Sequence, residues 1–186
     1  MKKEYRSVIR TKKMIKAAFL ELLDEKKDMN LITVGELAER ADIAKSTFYN
    51  HYDDIYSVAE EFENELIDNL SKVLDEIDSE TIVEYEIYIK RIIEFLKSNE
   101  NVYRKAIGSS DVRFFIEKLK STLSKKMFKE GAALPFSEVP AKRYVEIRFL
   151  TNALVDTMVD YFRGTLDLTL DEVGEVILSL LKRLEE

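Results

Sequence analysis

Apolar residues recur at three- and four-residue steps through most of the chain, the period of a helix packed on one face. Ile15, Ala18, Phe19, Leu22 and Leu23 form the first stripe, and the polar run Asp24 to Asn30 ends it. Thr33-Val-Gly-Glu36 matches a capping box, in which the Thr hydroxyl accepts from the third helical N–H and the Glu reaches back. Leu37 and Ala38 face inward, and the pattern stops near Ala41-Asp42. Asp tolerates left-handed backbone better than most residues, so Asp42 can make a corner. Ile43 and Phe48 would pin the next short helix to the one before it. Asp53-Asp54 opens a long helix to about Asp78, where acidic residues suit the positive helix end. Its stripe is Val58, Phe62, Leu66, Leu70, Val73, Leu74 and Ile77.

The same period continues to the end. Thr81-Ile-Val-Glu84 is a second capping box, opening a helix with Tyr85, Tyr88, Ile89, Ile92, Phe95 and Leu96 that ends near Asn99. A short helix over 101–107 stops at Gly108. Ser110 or Asp111 caps a helix to about Glu130, with Gly131 as its stop. After a loop containing Pro135, Pro140 is placed to start a helix to Arg163, followed by Gly164. Thr169-Leu-Asp-Glu172 is a third capping box and opens the last helix. No segment has the two-residue period of a strand, so the spacing predicts an all-α protein of about nine helices.

Charge divides the chain. Residues 1–52 carry +3 and residues 53–186 carry −10, within a total of −7. The first 16 residues alone carry +6. A basic end on an acidic body fits local contact with a polyanion that the body avoids. The short segment after Asp42 sharpens this. Lys45, Ser46, Thr47, Tyr49, Asn50 and His51 fall in one exposed element and can all donate hydrogen bonds to phosphates or bases. Two short helices, a tight corner and this donor set have the layout of a DNA-reading helix-turn-helix. Phe48 and Tyr52 supply the inward face, which favours phosphate contact for Tyr49, with core packing as the alternative. Lys45 is placed to reach a base or a phosphate, with a solvated surface charge as the alternative.

Other chemistry is sparse. The chain has no Cys and one His, so no disulfide, thiolate or shared zinc site is expected. No catalytic constellation, nucleophile elbow, phosphate-cradling Gly loop or HExxH occurs. The expectation is a protein that is not an enzyme and needs no cofactor or metal. Nothing resembles a membrane span or a signal peptide, which predicts a cytoplasmic protein.

Over Arg10 to about Phe62 the chain resembles the TetR family of transcriptional regulators. The residues are Thr11-Lys-Lys-Met-Ile-Lys-Ala-Ala-Phe-Leu, Leu31-Ile-Thr-Val, Glu36-Leu-Ala-Glu-Arg-Ala41 and Thr47-Phe-Tyr-Asn-His-Tyr52. The C-terminal part resembles the class that includes dihydroxyacetone-kinase regulators, through Tyr88-Ile-Lys-Arg-Ile-Ile-Glu-Phe-Leu-Lys and Asn101-Val-Tyr. The resemblance implies a homodimeric repressor released from a double-stranded DNA operator by a small molecule. Residues 1–52 would be the DNA-binding domain and 53–186 the effector-binding and dimerisation domain. It places Lys45 and Ser46 at the base-reading helix start with Thr47 beside them. Tyr49, Asn50 and His51 fall at phosphate-contacting positions, and Thr33 at a helix start that touches the backbone.

Three positions depart from the family pattern. The corner, often Gly, is Asp42; the N-cap, often Ser, is Ala44; and a Lys often found at the start of the fourth helix is Ile55. Lys2, Lys3, Arg6, Arg10, Lys12 and Lys13 form a basic arm that can compensate for the last.

In the body, Tyr88, Phe95, Tyr103, Phe114, Phe149 and Asn152 are the expected lining of a site for an apolar or aromatic effector. Asn152 and Asp156 share a helix face and can orient a ligand, cross an interface or form a surface pair. The last two helices carry Leu154, Val155, Met158, Tyr161 and Phe162, then Val173 through Leu184, more apolar surface than one small bundle needs. That predicts a four-helix dimer interface, with burial inside one chain as the alternative. A co-activator or protein-interaction module on the same scaffold, with no small-molecule effector, is the competing function.

Overall fold

The computed structural model describes residues 2–75, 85–109, 112–130 and 136–183. Among them are nine α-helices and no strand: α1 Lys2–Lys26, α2 Val34–Arg40, α3 Lys45–Tyr49, α4 Ile55–Asp75, α5 Tyr85–Ser98, α6 Glu100–Ile107, α7 Arg113–Glu130, α8 Pro140–Phe162 and α9 Leu170–Arg183. A 3-10 turn over Met29–Leu31 lies between α1 and α2. The fold is all-α. Thr81 to Glu84, Ser110, Asp111, Gly131, Ile77 and Leu184 lie outside the described residues, as does the loop at Pro135.

The chain packs as two units, one of Met1–Leu66 with Arg104–Val112, the other of Ile67–Tyr103 with Arg113–Glu186. In the first, the α1 stripe Ile15, Ala18, Phe19, Leu22 and Leu23 is wholly buried. Phe19 meets Phe62 of α4 edge to face at 6.0 Å, and Leu37, Phe48 and Val58 complete the centre with no exposed surface. Packed faces of this kind hold short helices that would be marginal alone. Lys105 of α6 pairs with Asp24 of α1 at 3.5 Å.

In the second unit, α5 lies against α9 and α7 against α8. Gly174 admits α5 closely, since a β-carbon there would stand 3.0 Å from Ile93 Cγ1. Lys120 of α7 pairs with Asp156 of α8 at 2.6 Å, so Asp156 is committed to that surface pair. Helix ends follow their local chemistry. Pro140 is at the start of α8, Gly164 behind it has φ 74°, and Thr169 and Glu172 form a reciprocal cap on α9.

Candidate nucleic-acid interface

Helix α2 begins at Thr33, whose Oγ1 accepts from the Glu36 N–H at 3.2 Å while Glu36 Oε2 accepts from the Thr33 N–H at 3.1 Å. The Thr33 hydroxyl also donates to Glu36 Oε2 at 2.8 Å. Both donors of Thr33 are therefore engaged inside the chain. Lys26 donates to the same carboxylate at 2.7 Å. The hydrogen bonds from Lys26 and Thr33 hold the Glu36 carboxyl down at about 2. At the other end of α2, Arg40 grips Glu25 with two bonds of 2.7 and 3.0 Å. This bidentate pair ties α2 to α1.

The corner is a Schellman motif. Asp42 sits at φ 53°, the Asp42 N–H donates to Glu39 O at 3.1 Å, and the Ile43 N–H donates to Ala38 O at 3.0 Å. Asp42 thus takes the left-handed role that its position in the sequence requires. Helix α3 starts at Ala44 without a side-chain cap.

One turn of α3 and the turn after it sort their residues sharply. Phe48 is completely buried and Tyr52 is buried beside it, with ring centroids 5.9 Å apart. Tyr49 lies edge-on to Phe48 at 5.4 Å yet keeps 57% of its surface exposed. Lys45, Ser46 and Asn50 are exposed, and Thr47 and His51 are half-buried. Lys45 reaches back across Gly35 of α2, where a β-carbon would stand 3.2 Å from both its Cε and Nζ. The bare Gly35 makes this crossing possible, a role that periodicity does not reveal.

Helix α4 is capped by Asp54 and Ser57. The Ser57 N–H donates to Asp54 Oδ1 at 2.8 Å, and the Asp54 N–H to Ser57 Oγ at 3.2 Å. Ile55 is buried. The basic arm divides. Arg6, Arg10 and Lys13 are exposed. Lys12 is not a free cation: it donates to Glu61 Oε2 at 2.6 Å and its ammonium lies 4.9 Å over the Tyr52 ring. Lys16 donates to Glu61 Oε1 at 3.1 Å and also to Glu65. Burial pushes the Glu61 carboxyl up, but hydrogen bonds from Lys12 and Lys16 outweigh it and hold the group below its ordinary value. Burial, then the charge of Glu61, raises the Tyr52 phenol. By sequence Lys12 belongs with the arm, because its partner lies 49 residues away.

The residues expected to line an effector site are only partly together. Phe95 and Tyr103 meet at 6.0 Å, and Tyr103 stacks on Phe162 at 5.8 Å. Tyr103 is buried, and Tyr88, Phe95 and Asn152 are half-buried. Phe114 and Phe149 are 81% and 77% exposed and have no ring contact among the described residues.

A capped short helix, a left-handed corner and a second short helix around a buried Phe define a helix-turn-helix protein with an all-helical body. No protein-family model matches the chain. Over 47 residues, 25% of this chain, it is 40% identical to the uncharacterized HTH-type transcriptional regulator YxbF of Bacillus subtilis, and the match spans only 12% of that relative's length. Solved structures align along nearly the full chain. The dihydroxyacetone kinase operon activator DhaS superposes with TM-score 0.62 and 19% identity, covering 93% of this chain and 94% of that one. A TetR transcriptional regulator from Streptococcus agalactiae gives 0.61 and 22%, covering 96% and 97%. The fatty acid degradation regulator FadR from Bacillus halodurans gives 0.63 and 15%, covering 92% and 94%. The fold is that of the TetR-type transcriptional regulators, as the residues around Thr47 to Tyr52 imply.

Proposed function

We propose that this chain is a DNA-binding transcriptional regulator that works in the cytoplasm as a homodimer, a repressor released from its operator by a small-molecule effector. One observation carries the DNA-binding reading. Around the buried Phe48, the segment from Lys45 to His51 turns Lys45, Ser46, Tyr49 and Asn50 outward, a donor set suited to base edges and phosphates. Thr47 and His51 flank that set, and Thr33 contributes once its hydroxyl turns away from Glu36.

Residues 1–52 would read DNA, and residues 53–186 would dimerise and bind the effector. Of the α8 residues expected at the interface, Val155, Tyr161 and Phe162 are buried within the chain, and dimerisation is supported instead by apolar surface left open elsewhere on the last two helices. Val176 and Leu180 of α9 are 51% and 53% exposed, beside Leu168, and α8 exposes Phe149, Val145 and Tyr144. A twofold pair through these faces gives two reading helices, matched to half-sites about 34–36 Å apart or a multiple of it. An apolar effector among Tyr88, Phe95 and Tyr103, with Phe114, Phe149 and Asn152 at the margin, would tilt α4 and spoil that spacing. Such an effector must prefer the tilted state, because equal affinity for both shifts nothing.

A second reading is an activator that binds a protein partner and no small molecule. The exposed rings of Phe114 and Phe149 favour it, as does the likeness to an operon activator. Mapping of genomic DNA bound by the chain in cells tests the main reading. It predicts a few sharp promoter sites, and their transcripts should rise when the gene is removed. Falling transcripts would favour the activator, and an absence of sites would end the DNA-binding reading.

A further inference from the structure

Helix α1 carries its cations on two sides with different fates. Arg6, Arg10 and Lys13 follow one stripe at four- and three-residue steps, are exposed, and have no ion-pair partner among the described residues. Lys12 and Lys16 face α4, where Glu61 binds both, at 2.6 and 3.1 Å, and Glu65 takes Lys16 as well. The Lys12 ammonium also rests 4.9 Å from the centre of the Tyr52 ring. Tyr52 directly follows Tyr49, Asn50 and His51, so Lys12 stands at the edge of the segment proposed to contact phosphate. Lys12 and Glu61 are both only half-buried.

An ion pair open to water gains little from its own attraction and exchanges readily. A DNA phosphate arriving beside Tyr52 would meet a cation already held by a carboxylate of the same charge as its own. Glu61 therefore acts twice: it occupies Lys12, and it adds a negative charge at the rim of the reading unit.

We infer that Glu61 competes with DNA phosphate for Lys12 and so weakens backbone binding by the reading unit. This rests on the DNA-binding reading above and names the residue that sets its strength. The competing role, a structural pin between α1 and α4, would affect stability without changing the number of phosphates bound. Salt dependence separates the two, since it counts phosphate contacts.

The experiment uses the full chain and a fluorescein-labelled duplex of random sequence, followed by anisotropy from about 50 to 200 mM salt. Glu61→Gln is expected to bind more tightly and to steepen the log–log salt slope by ~0.9, the value of one added contact. Over that range the added slope is a further loss of about threefold in affinity. Lys12→Gln is expected to leave the wild-type slope unchanged and to abolish the gain in the Glu61→Gln background. Lys13→Gln, which removes an exposed cation, is expected to flatten the wild-type slope. An unchanged or shallower slope in Glu61→Gln overturns the inference, as does a loss of slope in Lys12→Gln alone. If circular dichroism shows Glu61→Gln unfolded, Glu61→Met, which keeps the side-chain volume and removes the charge, takes its place with the same expected steepening. A wild-type chain with no salt-dependent DNA binding would instead end the regulator reading, and this inference with it.

Discussion

Lys45 crosses α2 directly over Gly35, at the point where a β-carbon would press on its Cε and Nζ at 3.2 Å. A glycine inside a helix costs roughly 0.5–1 kcal/mol relative to alanine. Here it leaves room for the first residue of the reading helix. Gly35→Ala is expected to stabilise the fold by up to that ~1 kcal/mol while displacing Lys45 and weakening operator binding. Lys45→Ala should weaken binding with the fold intact. A loss of roughly 1–3 kcal/mol at one operator position marks a base contact, and a uniform loss marks a phosphate contact. In the Lys45→Ala background, Gly35→Ala should have no further effect on affinity, and additive losses would break the proposed link.

Asp42 holds φ 53° at the corner between the two short helices. Glycine adopts this region without penalty, whereas a β-branched residue there is strained. Asp42→Gly is expected to raise stability by about 0.5–1 kcal/mol, and Asp42→Val to lower it by at least ~1 kcal/mol. The urea midpoint should move with an unchanged slope. A neutral Asp42→Val would mean that the corner relaxes to another conformation.

Glu36 supplies a pH signature. Its carboxyl is held at about 2 against an ordinary 4.5 by Lys26 and Thr33. A carboxyl with a lowered value stabilises the fold above its ordinary value and loses that contribution as pH falls toward the lowered one. Stability should therefore decline between about pH 4.5 and pH 2. Glu36→Gln should make that decline shallower without removing it, since Asp24, Glu25 and Glu61 are lowered too. Thermal unfolding of both proteins across this range is the check, and parallel curves would exclude Glu36 as a contributor.

The last helix separates its apolar residues by face. Val173, Ile177 and Leu181 are buried in the chain, while Val176 and Leu180 are half-exposed. Leu180→Glu should therefore leave the fold stable within ~0.5 kcal/mol, as exposed positions do. It should also yield a soluble monomer by light scattering, with weak and nearly non-specific DNA binding. An unfolded protein, or a dimer with normal operator affinity, would contradict this placement of the interface.

Signals that lie within a few residues of one another were legible in the sequence. The Thr33–Glu36 and Thr169–Glu172 boxes, the inward Phe48 and outward Tyr49, and the left-handed Asp42 all follow from local chemistry. Relations across long separations were not legible. Period alone ran Val173, Val176, Ile177 and Leu180 together, although α5 covers only part of that stripe. It could not pair Lys12 with Glu61, nor bring Arg104–Val112 back to the first unit. Aromatic content likewise could not tell the packed Tyr103 from the open Phe114 and Phe149. The helical start of α1 at Lys2 also escaped, because residues 6–14 lack a buried stripe.

The segment from Lys45 to His51 is proposed to read duplex DNA as a twofold pair. Repeated selection of duplexes from a random pool by the purified full chain tests it most directly. Enrichment of one inverted-repeat sequence is expected, with half-site centres about 10–10.5 base pairs apart or a multiple of that spacing. Lys45→Ala is expected to abolish or alter the enriched bases. A pool that stays random after selection, or the same enriched sequence with Lys45 and Tyr49 both replaced by alanine, would contradict it.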